Sequence, residues 1–251
     1  MNHSSTVHSI SSQVALAANL SYTGIPFILG ETNSLYNEGA PGLSNSFGAA
    51  LWGVDFNLWC ASVGIRRVHM HQGTNYRYAS WQPIQTNITT MGTKPPYYGN
   101  IAVAAMLGNL VDSEVRIVNL PTTSGSVEES AYAAYVDRKL QRLAVVNMRE
   151  YNYTVNGTSS VLNPTPRPTQ NYTFAIPEDC TSEWVDVKRL YANGSDAISG
   201  ITFDGWSYNY ELDNGKPVRL QNVTTGEKVQ VQGGIVSVEV LDSSAAILEF
   251  D

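Results

Sequence analysis

The sequence predicts two fold classes in one chain, an α/β segment over residues 1–111 and an all-β domain over residues 112–251. Three observations predict it. Up to residue 110, helical and strand-like patterns alternate, which implies parallel strands joined by right-handed crossovers. From about residue 112 the chain becomes a series of short β-branched and aromatic runs separated by Asn-Gly, Asp-Gly and Gly-Gly turns, the pattern of an antiparallel β-sandwich. The charge balance changes at the same place. Residues 1–111 hold three acidic side chains, Glu31, Glu38 and Asp55, against four basic ones, whereas 112–251 hold 19 acidic against 11 basic.

In order, SISSQVALAANLS (9–21) reads as a short helix that Gly24 and Pro26 end. IPFILG (25–30) is a continuous apolar run bounded by Gly, as expected of a strand buried on both faces. A polar, Gly-rich loop (31–43) follows, and Ser44 is a suitable N-cap. Phe47, Leu51, Val54, Leu58 and Ala61 then recur at four, three, four and three residues, one stripe of a helix that Gly64 closes. IRRVHM (65–70) is the next strand, 71–96 a second long loop, and YGNIAVAAMLGNL (98–110) a helix of small apolar residues. Two strands cannot bury both faces of a sheet, so this segment reads as the end of a larger α/β structure. Beyond it, EVRIVNL, AAYVDRKLQRLAVVNMREYNYTV, NYTFAIP, WVDVKRLYA, ITFDGWSYNYEL, EKVQVQGGIVSVEVL and AAILEF supply some eight strands.

Composition excludes several classes of function. A net charge of -7 with only 15 Lys and Arg argues against a nucleic-acid partner. No apolar run reaches the roughly 18 residues of a membrane span. Two cysteines, Cys60 and Cys180, are too few for a disulfide scaffold or a thiolate metal site, and the sequence leaves their pairing open. His69 and His71 alternate at a strand end without a third ligand nearby, so no metal is expected, and no organic cofactor is implied. Asn-x-Ser/Thr sequons at Asn2, Asn19, Asn87, Asn152, Asn156, Asn171, Asn193 and Asn222 point to a secreted glycoprotein, with the last six the candidate glycan sites. The opening MNHSSTVHSI has neither the basic nor the apolar region of a signal peptide, so the chain is expected to be N-terminally truncated.

Glu31 is the leading catalytic candidate. It stands directly after an apolar strand, and the carboxyl end of a parallel strand is where α/β barrels carry catalytic groups. Position alone fits a solvated loop glutamate equally well, but a segment with so few acids retains one there. Glu38 reads as a surface residue of the following loop. Asp55 lies with Gly48, Trp52 and Trp59 opposite the apolar stripe and reads as structural, for example bonded to a neighbouring loop. Ser34, Ser44 and Ser46 have no nucleophile-elbow context. Tyr36, Tyr76, Tyr78 and Trp81 place aromatics with polar tips in the two loops near Glu31, suited to stacking on sugar rings or to ordinary loop packing.

The run LGETNSLYNEGAPGLSNSFGAALWGVDF (29–56), followed by YRYASWQP and PPYYGNIAVAAMLG, resembles glycoside hydrolase family 79, which holds β-glucuronidases and heparanase. The similarity runs from about residue 20 to the C-terminus and is nearer the fungal glucuronidases. The resemblance implies a (β/α)8 TIM barrel with an appended C-terminal β-sandwich, with 25–29 as barrel strand seven, 65–70 as strand eight and 112–251 as most of the sandwich. It implies that Glu31 is the nucleophile of a retaining enzyme, and that Tyr36, Gly39 and Tyr78 meet a glucuronate carboxylate through hydroxyl and backbone N–H donors. A retaining glycosidase needs a second carboxyl about 5–5.5 Å from the first. In the family that acid/base lies on barrel strand four, which this chain lacks. The expected function is therefore the C-terminal part of a secreted β-glucuronidase acting on terminal β-linked glucuronic or 4-O-methylglucuronic acid. Alone, the chain is expected to be inactive and poorly soluble. The alternative is a non-catalytic carbohydrate-binding or cell-surface β module carrying a relic of a barrel; a family member with a substrate other than a uronic acid is a further possibility.

Overall fold

The computed structural model describes residues 1–122, 124–157 and 159–250. The N-terminal part contains α1 (His3–Ser9), α2 (Ser11–Asn19), β1 (Ile28–Thr32), α3 (Phe47–Ser62), β2 (Arg67–Met70), a short hairpin of β3 (Trp81–Gln82) and β4 (Gly92–Thr93), and α4 (Pro95–Leu107). The expected helix over 9–21 is divided at Ile10, and α1 precedes it. Asn2 caps α1 by accepting from the Ser5 N–H at 2.6 Å. Pro95 opens α4 earlier than the apolar pattern suggests, because a proline at the first helical position forfeits only an N–H that has no helical partner. The 71–96 loop is not structureless, since β3 and β4 pair within it.

The first strand departs from expectation. It spans Ile28–Thr32 rather than 25–30, and it is not buried on both faces: Ile25 is 75% and Ile28 45% exposed. The cause is its setting. β1 pairs in parallel with β2, and no other described strand lies beside it.

α3 begins two residues later than a cap at Ser44 would set. Its cap position is Ser46, not Ser44, and no side chain caps it. The first N–H groups of α3 are satisfied from a distance instead, Phe47 N–H donating to Ala197 O and Gly48 N–H to Ser195 O, both at 2.8 Å. Ser44 is thereby free to brace the preceding loop, its Oγ accepting from Ala40 N–H at 3.1 Å. The predicted stripe holds: Phe47, Leu51, Val54 and Leu58 are all buried in one core. α3 also buries its other flank, where Phe56 and Cys60 meet Ile10 and Ile65. α4 crosses α3 closely at Gly99, where a Cβ would lie 2.6 Å from the Ala50 carbonyl.

The C-terminal part contains β5 (Val115–Leu120), β6 (Glu129–Val136), β7 (Lys139–Asn147), β8 (Thr169–Ala175), β9 (Trp184–Tyr191), β10 (Thr202–Phe203), β11 (Trp206–Ser207), α5 (Tyr210–Asp213), β12 (Val218–Arg219), β13 (Glu227–Gln230), β14 (Ile235–Leu241) and β15 (Ser244–Glu249). The main antiparallel sheet runs β12-β11-β10-β9-β15-β7-β6-β5, with β13 also on β9, and β8 pairs with β14 in a second sheet. Alternate residues of the central strands enter two cores. Tyr132, Ala144, Val146, Ala245 and Ile247 face α3 and α4. Ala133, Leu143, Val145, Ala246 and Leu248 face Val236, Val238 and Val240 of β14. The order of layers is helices, large sheet, small sheet. A sheet covered on both faces explains why β15 reads as an unbroken apolar run instead of alternating.

Asp55 ties the layers together. It is fully buried, and its Oδ1 accepts from the Tyr132 hydroxyl of β6 at 2.7 Å and meets His3 Nδ1 of α1 at 2.9 Å. It is thus bonded to the sheet and the first helix rather than to a neighbouring loop. Cys60 and Cys180 are both free, and burial pushes the Cys60 thiol up to about 12.

Candidate active site

Glu31 sits near the carboxyl end of β1, at an irregularity that aims it. Leu29 pairs with Val68 and Thr32 with Met70, so β1 takes three steps where β2 takes two. One extra residue in a strand bends it and redirects a side chain, an arrangement over-represented beside active sites. Glu31 is exposed and borders a cleft of about 530 Å³. Leu29, Trp52 and Phe56 form one side of that cleft and Ser5, Ser9 and Gln13 of α1 and α2 the other. Among the described residues Glu31 is the one carboxylate in its lining.

The loops after the two parallel strands are stitched together. His71 N–H donates to Thr32 O at 2.8 Å, and Asn33 Nδ2 donates to His71 O at 3.0 Å. His71 then presents Nδ1 to the Tyr78 hydroxyl at 3.0 Å, with the Tyr76 ring 5.0 Å from its own. Tyr78 is buried, and burial, the neighbouring Tyr76 and the negative charges of Glu31 and Glu38 all push its phenol up. It therefore stays a neutral O–H group at any physiological pH.

Gly39 lies against Tyr78. Its φ is +75°, and a Cβ there would stand 2.8 Å from Ser44 and 3.1 Å from the Tyr78 ring, so only glycine fits. Arg77 fastens this turn, its N–H donating to Glu38 O at 2.7 Å and its Nη1 to Gly39 O at 3.3 Å. The Gly39 N–H itself points back to Tyr36 O at 3.3 Å. Tyr36 is 84% exposed. The structure thus places Gly39 beside Tyr78, which feels the charge of Glu31, and leaves the Tyr36 ring projecting into solvent; Tyr36, Gly39 and Tyr78 do not line the Glu31 cleft.

Arg77, Asn33 and Lys94 carry no sequence pattern that singles them out, and His71 reads there only as a weak metal-ligand candidate. Lys94 is buried beneath the Tyr76–Tyr78 loop and donates to Tyr76 O at 3.1 Å; burial and the nearby Arg77 charge lower its pKa to about 8. Glu38 lies 4.0 Å from Arg77 on a separate cleft, and Asp55 is enclosed in the core.

Residues 131–247 match the glycosyl hydrolase family 79 C-terminal beta domain. The chain matches the C-terminal portion of glycosyl hydrolase family 79 proteins. It is 61% identical over 255 residues to a β-glucuronidase of Aspergillus niger, covering 99% of this chain and 46% of that protein. It is 49% identical over 281 residues to a β-glucuronidase of Neurospora crassa, covering 100% of this chain and 50% of that one. The chain therefore spans about half the length of these relatives. Among solved structures, a 4-O-α-L-rhamnosyl-β-D-glucuronidase from Fusarium oxysporum superposes with a TM-score of 0.80 at 24% identity, over 100% of this chain and 49% of that one. A GH51 arabinofuranosidase from Xanthomonas axonopodis pv. citri follows with a TM-score of 0.56 at 14% identity, over 100% of this chain and 48% of that one. At these identities the likeness is one of fold.

The candidate glycan sites are not equivalent. Asn87, Asn156, Asn171, Asn193 and Asn222 are exposed. Asn152 is half-buried, with its Nδ2 donating to Glu150 and its Oδ1 accepting from Ser195 Oγ, each at 2.6 Å. A glycan on that nitrogen would break the first of these bonds. Glycopeptide mapping of the protein produced through a eukaryotic secretory pathway is expected to find Asn152 unoccupied while exposed sites such as Asn193 and Asn222 carry glycan.

Proposed function

We propose that the chain is the C-terminal portion of a secreted, retaining β-glucuronidase-type glycoside hydrolase, with Glu31 as the nucleophile. The carrying observation is Glu31 itself, an exposed carboxylate at a bulged, carboxyl-terminal strand end bordering a cleft. In this reading β1 and β2 are strands seven and eight of a (β/α)8 barrel, residues 1–111 its C-terminal part, and 112–251 the appended sandwich. The names of the two curated relatives, both β-glucuronidases, support the substrate class, terminal β-linked glucuronic or 4-O-methylglucuronic acid.

Glu31 would attack the anomeric carbon while the bond to the leaving oxygen breaks and that oxygen takes a proton from a second carboxyl group. Water would then attack the glycosyl–Glu31 ester, giving the proton back and releasing sugar with retained configuration. The second carboxyl belongs to a strand outside these residues, so residues 1–251 alone are inactive in this reading. Tyr78 and the turn at Tyr36 and Gly39 supply uncharged donors to the uronate carboxylate. The Gly39 N–H must then turn from Tyr36 O to substrate.

The test is a comparison of aryl β-glucuronide with aryl β-glucoside on the longer polypeptide and on 1–251. Hydrolysis of glucuronide alone, by the longer product alone, is the expected result. A preference for glucoside would remove the roles of Tyr36, Gly39 and Tyr78, and turnover by 1–251 would remove the requirement for a second carboxyl upstream.

A further inference from the structure

Lys94 grips the loop that carries Tyr78 on both sides of that residue. Its backbone N–H donates to Ser80 O at 2.9 Å, and its Nζ donates to Tyr76 O at 3.1 Å. Tyr76 O also accepts from Ala79 N–H at 3.1 Å, which closes the turn 76–79. Tyr78 therefore stands between two points that one residue fixes. Any residue but proline supplies the backbone bond. The other bond needs a long side chain that ends in a donor.

The elements behind Lys94 are anchored in the β-sheet part. In the first turn of α4 the Tyr98 hydroxyl accepts from Tyr208 N–H at 2.8 Å and donates to Asn209 Oδ1 at 3.0 Å. On the other side of Lys94, β4 lies against α5, where a Cβ on Gly92 would stand 3.1 Å from Tyr210 Cβ. Stability does not account for a lysine between them. Lys94 is 8% exposed, and no carboxylate among the described residues pairs with it. Arg77 repels it, and it stands at the positive end of α4. A methionine fills the same space without those costs.

We propose that Lys94 is a positioning residue: through the Tyr76 carbonyl it holds the Tyr78 hydroxyl in place for substrate, and so makes the β-sheet part a support for recognition. The inference rests on the β-glucuronidase reading above, in which Tyr78 meets the uronate. Its bond to Tyr76 O is charge-assisted, and such bonds are roughly twice as strong as neutral ones. Burial first, and then the Arg77 charge, lower the Lys94 pKa to about 8, so the ammonium form is complete well below that pH and lost above it. The titratable groups around it are Arg77, Tyr76, Tyr78 and His71 of the loop and Tyr97 of α4, with Glu38 turned to Arg77 at 4.0 Å.

The test is steady-state kinetics of the longer polypeptide on aryl β-glucuronide and aryl β-glucoside, native and as Lys94→Met and Lys94→Gln, with and without Tyr78→Phe. In the native protein KM for glucuronide is expected to rise as pH passes about 8, and in Lys94→Gln this step is expected to vanish. At lower pH, Lys94→Met is expected to raise that KM about tenfold and to keep kcat within about threefold, because a binding contact is loosened and the reacting groups are not. In the Tyr78→Phe background the same change is expected to add less than about twofold, since both substitutions act on one contact. If Lys94→Met does not fold, Lys94→Gln and the native pH profile decide. A native protein that prefers glucoside removes the β-glucuronidase reading and this inference with it. A native preference for glucuronide overturns the inference alone if KM is unchanged in Lys94→Met, if its effect is undiminished in Tyr78→Phe, or if the alkaline step is absent from the native protein or persists in Lys94→Gln.

Discussion

Glu31→Gln in the longer β-glucuronidase-type polypeptide is expected to lower kcat on an aryl β-glucuronide by on the order of 10⁴-fold or more, the scale seen when a covalent nucleophile is removed. The reasoning is chemical. An amide oxygen of nearly the same shape keeps the bulged strand end and the cleft, but it cannot form the glycosyl ester through which retention proceeds. Because Glu31 is exposed and takes no part in the core, the stability is expected to move by no more than about 0.5 kcal/mol, as for other surface substitutions. KM need not rise, since the residues proposed to meet the uronate, Gly39 and Tyr78, are untouched. A variant that retains more than about a hundredth of the activity would show that another group attacks the anomeric carbon. Small nucleophiles such as azide supply a second reading with the truncated Glu31→Ala, which vacates the space: rescue by azide with inversion would place the missing nucleophile on the face where Glu31 stands.

Much of this architecture could be read from residues alone, and the failures share a physical cause. The α3 stripe was legible because a 3.6-residue period survives whatever packs against it, and Phe47, Leu51, Val54 and Leu58 are buried together. The boundary of β1 was not, because an apolar run says that burial is wanted and not which neighbour provides it. Ser44 is a good cap by type, but the N-terminus of α3 is satisfied by carbonyls of Ser195 and Ala197, some 150 residues away in sequence, which no local pattern reports. The β6–β7 hairpin was hidden inside one long run. Its turn is Asp137–Arg138, with φ of +49° and +72°, and the second position lacks the Gly or Asn that marks such turns. At the site, Glu31 is singled out by its place and by the scarcity of acids around it. Tyr36 and Tyr78 stand out as loop aromatics, but Gly39 and a role towards a uronate carboxylate come only from family resemblance. The bonds that position them, His71 to Tyr78 and Arg77 to Gly39, join loops on separate strands and leave no sequence period.

Asp55→Ala is expected to destabilise the fold by about 3–5 kcal/mol, the usual penalty for removing one partner of a buried charged pair. The carboxylate is fully enclosed between α1, α3 and β6; its loss strands His3 Nδ1 and leaves the Tyr132 hydroxyl only its longer bond, 3.1 Å, to the backbone carbonyl of residue 55. At roughly 2–4 °C per kcal/mol for a chain of this size, the thermal midpoint falls by about 6–20 °C. The pH dependence follows from the same contacts. Burial alone raises the Asp55 pKa. The hydrogen bond and charge of His3, the Tyr132 hydroxyl and the nearby Ser130 together outweigh it, so the folded value lies below the ordinary 3.8. Ser130 Oγ and Asp55 Oδ2 have no hydrogen-bond partner among the described residues, so the direct His3 and Tyr132 bonds carry the lowering. A carboxyl with a depressed folded pKa contributes stability that is complete above its unfolded value and is lost as pH falls through the folded one. Denaturant midpoints of the native chain should therefore fall below about pH 4, and Asp55→Asn should flatten that part of the profile while retaining an acceptor for Tyr132. His3→Leu separates the two partners: it leaves the Tyr132 bond and removes the charge, so it should raise the acid limb toward the ordinary carboxylate range. If Asp55→Asn and the native chain lose stability in parallel between pH 5 and 3, the acid limb belongs to other carboxylates and the buried pair is not what fastens α1 to the sheet.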